Sequence, residues 1–199
     1  MNKRDFRILV VDDDDIAREV VSSILSKEGY SVHTAVDGLQ AISTLMTEDI
    51  GMVITDFKMP GADGLEVLRT SMRANPETSV VIITAYGTLE ATLEAIAEGA
   101  YDYLTKPFKI QEIIIVADRA FKRAKLINEN SELKERLKET YRDLKLLKAV
   151  SSGENPCLVT EWIERLEKLK SSDILSVAEA EILRERLIRG NGVQDTDSR

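Results

Sequence analysis

Residues 52–61, MVITDFKMPG, contain the pattern from which the fold prediction starts. A short run of apolar and β-branched residues leads into one carboxylate, Asp56, and the turn formers Pro60 and Gly61 follow it. An apolar run of this length without alternation is typical of a strand that is buried on both faces, as in parallel sheets. We therefore expect Asp56 to stand at the carboxyl end of a parallel strand, with a loop beyond it.

Comparable apolar runs recur through the first 110 residues, and they predict strands over 6–11, 31–35, 51–55, 79–84 and 101–104. The segments between them carry apolar residues at helical spacing. Gly29, Gly51 and Gly99 stand where these helices are expected to stop. Strands that alternate with helices in this way predict an α/β fold, a five-stranded parallel sheet with helices on both faces.

Polar residues follow four of the predicted strands. Asp12 and Asp13 follow the first strand, Asp56 follows the third, Thr84 ends the fourth and Lys106 comes just after the fifth. The carboxyl ends of parallel strands share one edge of the sheet, so these side chains are expected to converge there. Taken singly, each residue has an ordinary explanation, such as a helix cap, a turn residue or a surface lysine. Their occurrence in chain order, each at a different strand end, favours a single site.

Three converging carboxylates repel one another unless a cation lies among them. Hard oxygen ligands suit Mg²⁺, which keeps some of its waters and binds phosphate oxygens well. The sequence therefore predicts a magnesium site formed by Asp12, Asp13 and Asp56, with the backbone carbonyl of Lys58 as a further ligand.

The same residue types predict the transfer of a phosphoryl group. Asp56 would be the nucleophile that forms an aspartyl phosphate. The ammonium of Lys106 would pair with one phosphoryl oxygen, and the hydroxyl of Thr84 would donate to another.

Residues 5–122 resemble the receiver domain of two-component response regulators. The residues that carry the resemblance are Val10-Val11-Asp12-Asp13, Asp56 with Met59-Pro60-Gly61-Ala62-Asp63-Gly64, Thr84-Ala85, and Lys106-Pro107-Phe108. The Met-Pro-Gly run is similar to receivers of the enhancer-binding activator class. The resemblance implies a flavodoxin-like strand order, 2-1-3-4-5.

The resemblance also implies a function. A sensor histidine kinase would phosphorylate Asp56 with Mg²⁺ bound, and Thr84 and Tyr103 would act as a switch pair. The family further implies a cis peptide bond before Pro107. Such a protein is a phosphoacceptor switch and not an enzyme, beyond magnesium-dependent self-phosphotransfer and autodephosphorylation.

A second pattern begins after the receiver-like region, where residues 111–150 contain neither glycine nor proline. A set of mostly apolar residues there is separated alternately by four and three positions, which is coiled-coil spacing. Position d holds Leu126, Leu133, Thr140 and Leu147, and position a holds Asn130, Leu137 and Leu144. We expect a parallel homodimer in which Asn130 sets the register and the pairs Glu129–Lys134 and Asp143–Lys148 cross between chains. The alternatives are one solvated helix, or a helix folded back on its own domain.

These patterns predict four segments: a receiver domain over 1–122, a coiled-coil dimerisation helix over 123–150, a small helical module over 151–190 and a disordered tail over 191–199. The activator class continues into an ATPase and a DNA-binding domain, whereas this chain has no Gly-x-x-x-x-Gly-Lys phosphate loop. A truncated DNA-binding transcription activator and a constitutive scaffold therefore stay open beside the signalling switch.

Charge and composition limit the partners. Residues 1–110 hold 10 basic and 18 acidic residues, a net charge of −8, so direct nucleic-acid binding is not expected. Cys157 is the only cysteine, which excludes an internal disulfide and a multi-thiolate metal site. No apolar stretch is long enough to cross a bilayer and no signal-peptide pattern is present, so we expect a cytoplasmic protein without a membrane association. The downstream protein partner is not identified by the sequence.

Overall fold

The structure, a computed structural model, describes the backbone of residues 1–85, 89–151, 157–171 and 176–190. It describes side chains over 1–85, 92–144, 163–171 and 176–185. The chain forms two compact units, Met1–Asn130 and Ser131–Arg199, and each is described by itself.

The first unit is built on a five-stranded sheet. Its strands are β1 (Arg7–Val11), β2 (Ser31–Ala35), β3 (Met52–Asp56), β4 (Ser79–Thr84) and β5 (Asp102–Thr105). All four pairings are parallel, and the order is β2-β1-β3-β4-β5. The predicted fold class and strand order are therefore confirmed.

Five helices follow the five strands in turn. They are α1 (Asp15–Lys27), α2 (Gly38–Thr47), α3 (Gly64–Ala74), α4 (Leu89–Ala97) and α5 (Ile110–Ser151). Asp14, Asp37 and Asp63 cap the first three helices by accepting backbone N–H groups in the first turn. These caps fix where each loop turns into a helix, and so they also fix the loops that carry the site.

Two of the three glycines that were predicted to end helices do so. Gly29 and Gly99 follow α1 and α4 with φ of 90° and 98°, a conformation that only glycine adopts readily. The prediction for Gly51 is wrong, because α2 ends at Thr47 with Glu48 as its C-cap. A Cβ atom at Gly51 would lie 2.4 Å from the ring of Phe6, so close packing before β3 requires this glycine.

The sheet buries apolar side chains on both of its faces. Alternate strand residues such as Ile8 pack on one face with α1 and α5, which contribute Leu25 and Ile113. The intervening strand residues such as Ile82 pack on the other face with α2, α3 and α4, where α3 contributes Leu68. Burial on both faces explains why the strand sequences are apolar throughout.

The first turns of α5 are fastened to the sheet. The rings of Phe6, Tyr30 and Phe121 meet edge to face, with centroids 5.7 to 6.1 Å apart. The Tyr30 hydroxyl donates to the Asp118 carboxylate at 2.6 Å, and Arg123 donates to the Glu77 carbonyl at 2.6 Å. Contacts from both flanks therefore hold this part of the helix in place.

The second unit contains the distal part of α5, then α6 (Cys157–Ser171) and α7 (Val177–Gly190). A capping box is present at the start of α7, where Ser176 and Glu179 exchange hydrogen bonds. Arg165 of α6 donates to Asp143 of α5 at 3.1 Å. Asp143, which was expected to face Lys148 of a partner, is thus paired within its own chain.

The remaining predictions for the C-terminal region concern residues outside those that the structure describes. The disordered tail falls on 191–199, and the side chains of Leu147 and Lys148 are not described either. Over the described part of the chain, every helix is too short or too polar to cross a bilayer.

Leu68→Ala tests the core. Leu68 is fully buried, so truncation removes apolar contacts and leaves a cavity, and we expect a loss of about 2–5 kcal/mol in the free energy of unfolding. The same change at Leu93, which is 56% exposed, should alter stability by about 0.5 kcal/mol or less. Urea unfolding followed by circular dichroism measures both, and equal losses would contradict the assigned core.

Candidate functional site

Strand register brings four chain segments to one level at the carboxyl edge of the sheet. Val11 pairs with Thr55 of β3, so Asp12 and Asp56 both follow this pair directly. Asp56 pairs with Ile83, and Thr84 pairs with Thr105, which Lys106 follows. Residues far apart in sequence are therefore neighbours here, as the sheet topology requires.

The three predicted carboxylates lie together. One oxygen from each of Asp12, Asp13 and Asp56 lies within 4.8 Å of the others. Asp12 is buried, Asp56 is partly buried and Asp13 is exposed, so the cluster opens to solvent on one side. Asp12 is further held by the N–H group of Asp14, which donates to Oδ1 at 3.0 Å.

Lys106 forms a bridge between two of these carboxylates. Its Nζ atom lies 2.8 Å from Oδ2 of Asp12 and 3.5 Å from Oδ2 of Asp56. Burial lowers the pKa of Lys106, but the hydrogen bond to Asp12 and the charges of Asp12 and Asp56 outweigh it, so the net shift is upward. The lysine therefore stays an ammonium ion within the acidic cluster.

The negative charge of the Asp56 carboxylate is compensated only in part by the ammonium of Lys106. Burial raises the pKa of Asp56, and the charge of Lys106 and the N–H of Phe57 lower it without cancelling that effect. The ammonium lies nearer to Asp12 than to Asp56, and the charge of Asp12 raises the pKa of Asp56 further. A second cation would offset the uncompensated charge.

A tight loop after β3 holds Asp56 in place. The N–H of Phe57 donates to Oδ1 of Asp56 at 2.8 Å, and the N–H of Gly64 donates to the carbonyl of Phe57 at 3.0 Å. A Cβ atom on Gly64 would lie 2.4 Å from the Asp56 carbonyl oxygen, so no other residue fits there without a shift of the backbone. The close return of the chain fixes the backbone from which the Asp56 side chain projects.

The other predicted site residues lie at or near the same edge. Thr84 is buried at the end of β4, and its carbonyl accepts the N–H of Lys106 at 2.7 Å. Tyr103 in β5 has a buried hydroxyl with no hydrogen-bond partner among the described residues. Lys58 is exposed in the loop after β3, and the role of its carbonyl stays a prediction. The Lys106–Pro107 peptide bond is cis, as the family resemblance implied.

The residues predicted for dimerisation are separate from this site and lie along α5. Leu126, Leu133, Leu137 and Leu144 are 66%, 63%, 70% and 49% exposed. Asn130 is exposed as well. These side chains are not covered within the described chain, so they are available to a second helix.

Sequence reasoning missed one residue beside the site, Arg18. Its guanidinium donates to the backbone carbonyl of Asp12 at 2.6 Å and pairs with Asp15. The available signal was the i, i+3 spacing of Asp15 and Arg18, which favours an ion pair on a helix. That spacing gives no indication of the contact with Asp12.

The donor set fits a hard divalent cation. Three carboxylates supply oxygen ligands, and one ammonium compensates only part of their charge. The arrangement also places a partly buried carboxylate, that of Asp56, beside the ammonium of Lys106. With a divalent cation among the carboxylates, the site could accept an anionic group that carries its own oxygens, such as a phosphoryl group.

Comparison with known proteins agrees with this geometry. Residues 8–118 match the family model of the response regulator receiver domain. Because that match covers more than half of the chain, the protein belongs to the response regulator receiver domain family.

Relatives and solved structures place the chain more closely. It is 36% identical over 130 residues to the nitrogen assimilation regulatory protein NtrX of Azorhizobium caulinodans, covering 64% of this chain and 29% of that protein. The crystal structure of NtrX from Brucella abortus is 40% identical, with a TM-score of 0.59, over 64% of this chain and 29% of that one. The solution structure of a beryllofluoride-activated NtrC4 receiver domain dimer is 31% identical, with a TM-score of 0.56, over 58% of this chain and 96% of that one. The chain spans less than a third of the length of the curated relatives it matches.

Asp13→Asn tests the electrostatics of the cluster. Without divalent ions the substitution removes repulsion between close carboxylates, and we expect a gain in stability of about 1 kcal/mol or less. Mg²⁺ should stabilise the parent by about 1.4 kcal/mol at ten times its dissociation constant, and this increment should shrink in the variant.

Thermal unfolding in EDTA and in Mg²⁺ measures both effects. Asp49→Asn, at an exposed carboxylate outside the cluster, is the matched control and should behave like the parent. An equal Mg²⁺ increment in the parent and in Asp13→Asn would remove Asp13 from the cation site.

Proposed function

We propose that this protein is a phosphorylation-dependent response regulator in which Asp56 accepts a phosphoryl group from a sensor histidine kinase. The observation that carries the proposal is the placement of Lys106, whose ammonium lies between Asp12 and Asp56 in a cluster of three carboxylates. The family match and the similarity to NtrX support it. A cytoplasmic location, as expected from the sequence, is part of the proposal.

In the proposed transfer, a carboxylate oxygen of Asp56 attacks the phosphorus of an N-phosphorylated imidazole. The new P–O bond forms as the P–N bond breaks, and the imidazole nitrogen keeps the electron pair of the broken bond. Lys106 moves from its carboxylate partners toward one phosphoryl oxygen, and the Thr84 hydroxyl donates to another. The protein turns over no other substrate; its only chemistry is magnesium-dependent self-phosphotransfer and autodephosphorylation.

Asp12, Asp13 and Asp56 would hold Mg²⁺, with the carbonyl of Lys58 as a further ligand. When bound, the ion would neutralise part of the negative charge on the transferring group. The uncompensated charge around Asp56 supports this assignment.

Thr84 and Tyr103 would convert the new phosphate into a change of surface. Movement of Thr84 toward the phosphate opens a space that an aromatic side chain can fill. The hydroxyl of Tyr103 is buried with no hydrogen-bond partner among the described residues, and such a placement costs free energy. Because its buried hydroxyl lacks a hydrogen-bond partner in the described part of the chain, the Tyr103 side chain can exchange between this inward position and an outward one. A switch residue requires such an exchange.

Helix α5 would carry the signal onward. We propose a receiver domain over 1–122, a dimerisation helix over 123–150, a helical module over 151–190 and a disordered tail over 191–199. Asp118 and Arg123 fasten α5 to the sheet, which supports the proposed role of this helix. A change on the sheet face that α5 covers would pass directly into the helix.

The proposed dimer is a parallel pair of α5 helices. Four exposed leucines follow the heptad along one continuous helix, as a two-stranded coiled coil requires. Asn130 at position a would specify the register and two-strandedness at some cost in stability. Within its own chain Asp143 pairs with Arg165 at 3.1 Å and Glu129 lies 3.8 Å from Lys125, so each interchain pair would form by exchange of such a partner. The downstream partner would recognise the phosphorylated form.

One observation favours a second function, that of a DNA-binding transcription activator with its output domain elsewhere. The chain covers 24% of a relative named as the DNA-binding transcriptional regulator NtrC of Klebsiella pneumoniae. A reading frame that continues past Arg199 into such a domain would support this alternative. A constitutive scaffold would instead show unchanged assembly and partner binding with a beryllofluoride phosphate mimic.

Asp56→Asn should abolish labelling by a small phosphodonor in the presence of Mg²⁺, because the amide is not a nucleophile. Incorporation of phosphate, resolved on a phosphate-affinity gel, measures it. Asp49→Asn, which changes an exposed carboxylate to an amide away from the cluster, should label like the parent. Retained labelling of Asp56→Asn would remove Asp56 from its proposed role.

Leu137→Lys should break the dimer, because it places a charge at a central position of the helix seam. Sedimentation velocity should show dimers for the parent and for Glu139→Lys, which lies outside the seam, and monomers for Leu137→Lys. Asn130→Leu should strengthen the assembly while broadening its oligomeric state. A parent chain that is monomeric at all concentrations, with and without the phosphate mimic, contradicts the coiled-coil proposal.

A further inference from the structure

Arg18 lies in the first turn of α1, and its side chain turns back over the loop that carries Asp12 and Asp13. Nη1 donates to the backbone carbonyl of Asp12 at 2.6 Å, and Nη2 pairs with the Asp15 carboxylate. The Arg18 side chain is only 14% exposed, whereas that of Asp15 is 86% exposed. A charged side chain is thus enclosed in the loop although its carboxylate partner lies in solvent.

The three carboxylates of the cluster are not held equally. Asp12 is fixed by the N–H of Asp14 and by Lys106, and Asp56 is fixed by the N–H of Phe57. Asp13 is exposed, and its carboxylate makes no hydrogen bond or ion pair with a described residue. The backbone alone therefore determines where the Asp13 side chain starts.

The contact with Arg18 acts on that backbone. A peptide unit is planar, so the carbonyl of Asp12 and the N–H of Asp13 turn together. Fixing the carbonyl oxygen with a guanidinium therefore fixes the plane from which Asp13 begins. Groups that orient metal ligands in this indirect way commonly change metal affinity by about 10–100-fold.

We propose that Arg18 is a positioning residue for the cation site, holding the Asp12–Asp13 peptide so that the Asp13 carboxylate faces Asp12 and Asp56. The inference rests on the proposed function, because the cation is the Mg²⁺ of that proposal. If Arg18 is a positioning residue, its removal should weaken Mg²⁺ binding, which is the opposite of what its charge alone would do. A positive group beside a cation site repels the cation, so if Arg18 acted only by its charge, its removal would tighten Mg²⁺ binding.

Calorimetric titration of the full chain with Mg²⁺ tests the proposal. Arg18→Gln should weaken Mg²⁺ binding by about tenfold. Arg18→Lys keeps the charge but loses the planar fork of donors. Its affinity for Mg²⁺ should therefore fall between those of the parent and of Arg18→Gln. Arg69→Gln is the matched control, because Arg69 also donates to a carboxylate, that of Glu98 at 3.0 Å, and should bind Mg²⁺ like the parent.

A second readout needs no metal. In EDTA, the amide proton of Asp14, which donates to Asp12, should exchange faster with solvent in Arg18→Gln than in the parent. Amides of β4 should exchange at unchanged rates, because the core is not affected. A general loss of stability would instead accelerate both groups.

Mg²⁺ binding by Arg18→Gln that equals or exceeds that of the parent would overturn the proposal, as would unchanged exchange at Asp14. If Arg18→Gln does not fold, Arg18→Lys decides the question, and parent-like affinity in that variant overturns it. A parent chain with no measurable Mg²⁺ binding would remove the proposed function itself, so the two failures are distinguishable.

Discussion

The structure depends most on the electrostatic constraint at the carboxyl edge of the sheet, where Asp12, Asp13 and Asp56 lie within 4.8 Å of one another. Parallel strand order forces these carboxylates together, and Lys106 compensates only part of their charge. Without a bound cation, repulsion between these carboxylates therefore costs free energy, and an added cation reduces that repulsion. The same imbalance that destabilises the cluster would favour the Mg²⁺ and the phosphoryl group of the proposed function.

The fold fixes the loops around that site and attaches α5 to the sheet. Gly64 allows the chain to return tightly against the backbone of Asp56, and the caps at Asp14 and Asp63 fix the loops on either side. On the opposite flank, Asp118 and Arg123 fasten α5 to the sheet before the helix continues to Ser151. Loops fixed by caps and a helix fastened to the sheet are the two features on which the proposed signalling depends.

Much of this arrangement could be predicted from the sequence, for identifiable reasons. Apolar runs that end in Asp56, Thr84 or a segment before Lys106 reveal buried parallel strands, and topology then brings their ends together. Gly51 was misread because a glycine before a strand and a glycine after a helix look alike in sequence, and only the ring of Phe6 distinguishes them. Arg18 and the Asp143–Arg165 pair were missed because both depend on side-chain directions that spacing does not encode.

The most direct test of the central claim is to locate the acyl phosphate chemically. The protein would be treated with a small phosphodonor and Mg²⁺, reduced with borohydride, which converts an aspartyl phosphate to homoserine, and mapped by peptide mass spectrometry. We expect homoserine at position 56 and unmodified aspartate at positions 12 and 13. Homoserine at position 12 or 13, or at none of the three after demonstrable exposure to the donor and Mg²⁺, would contradict it.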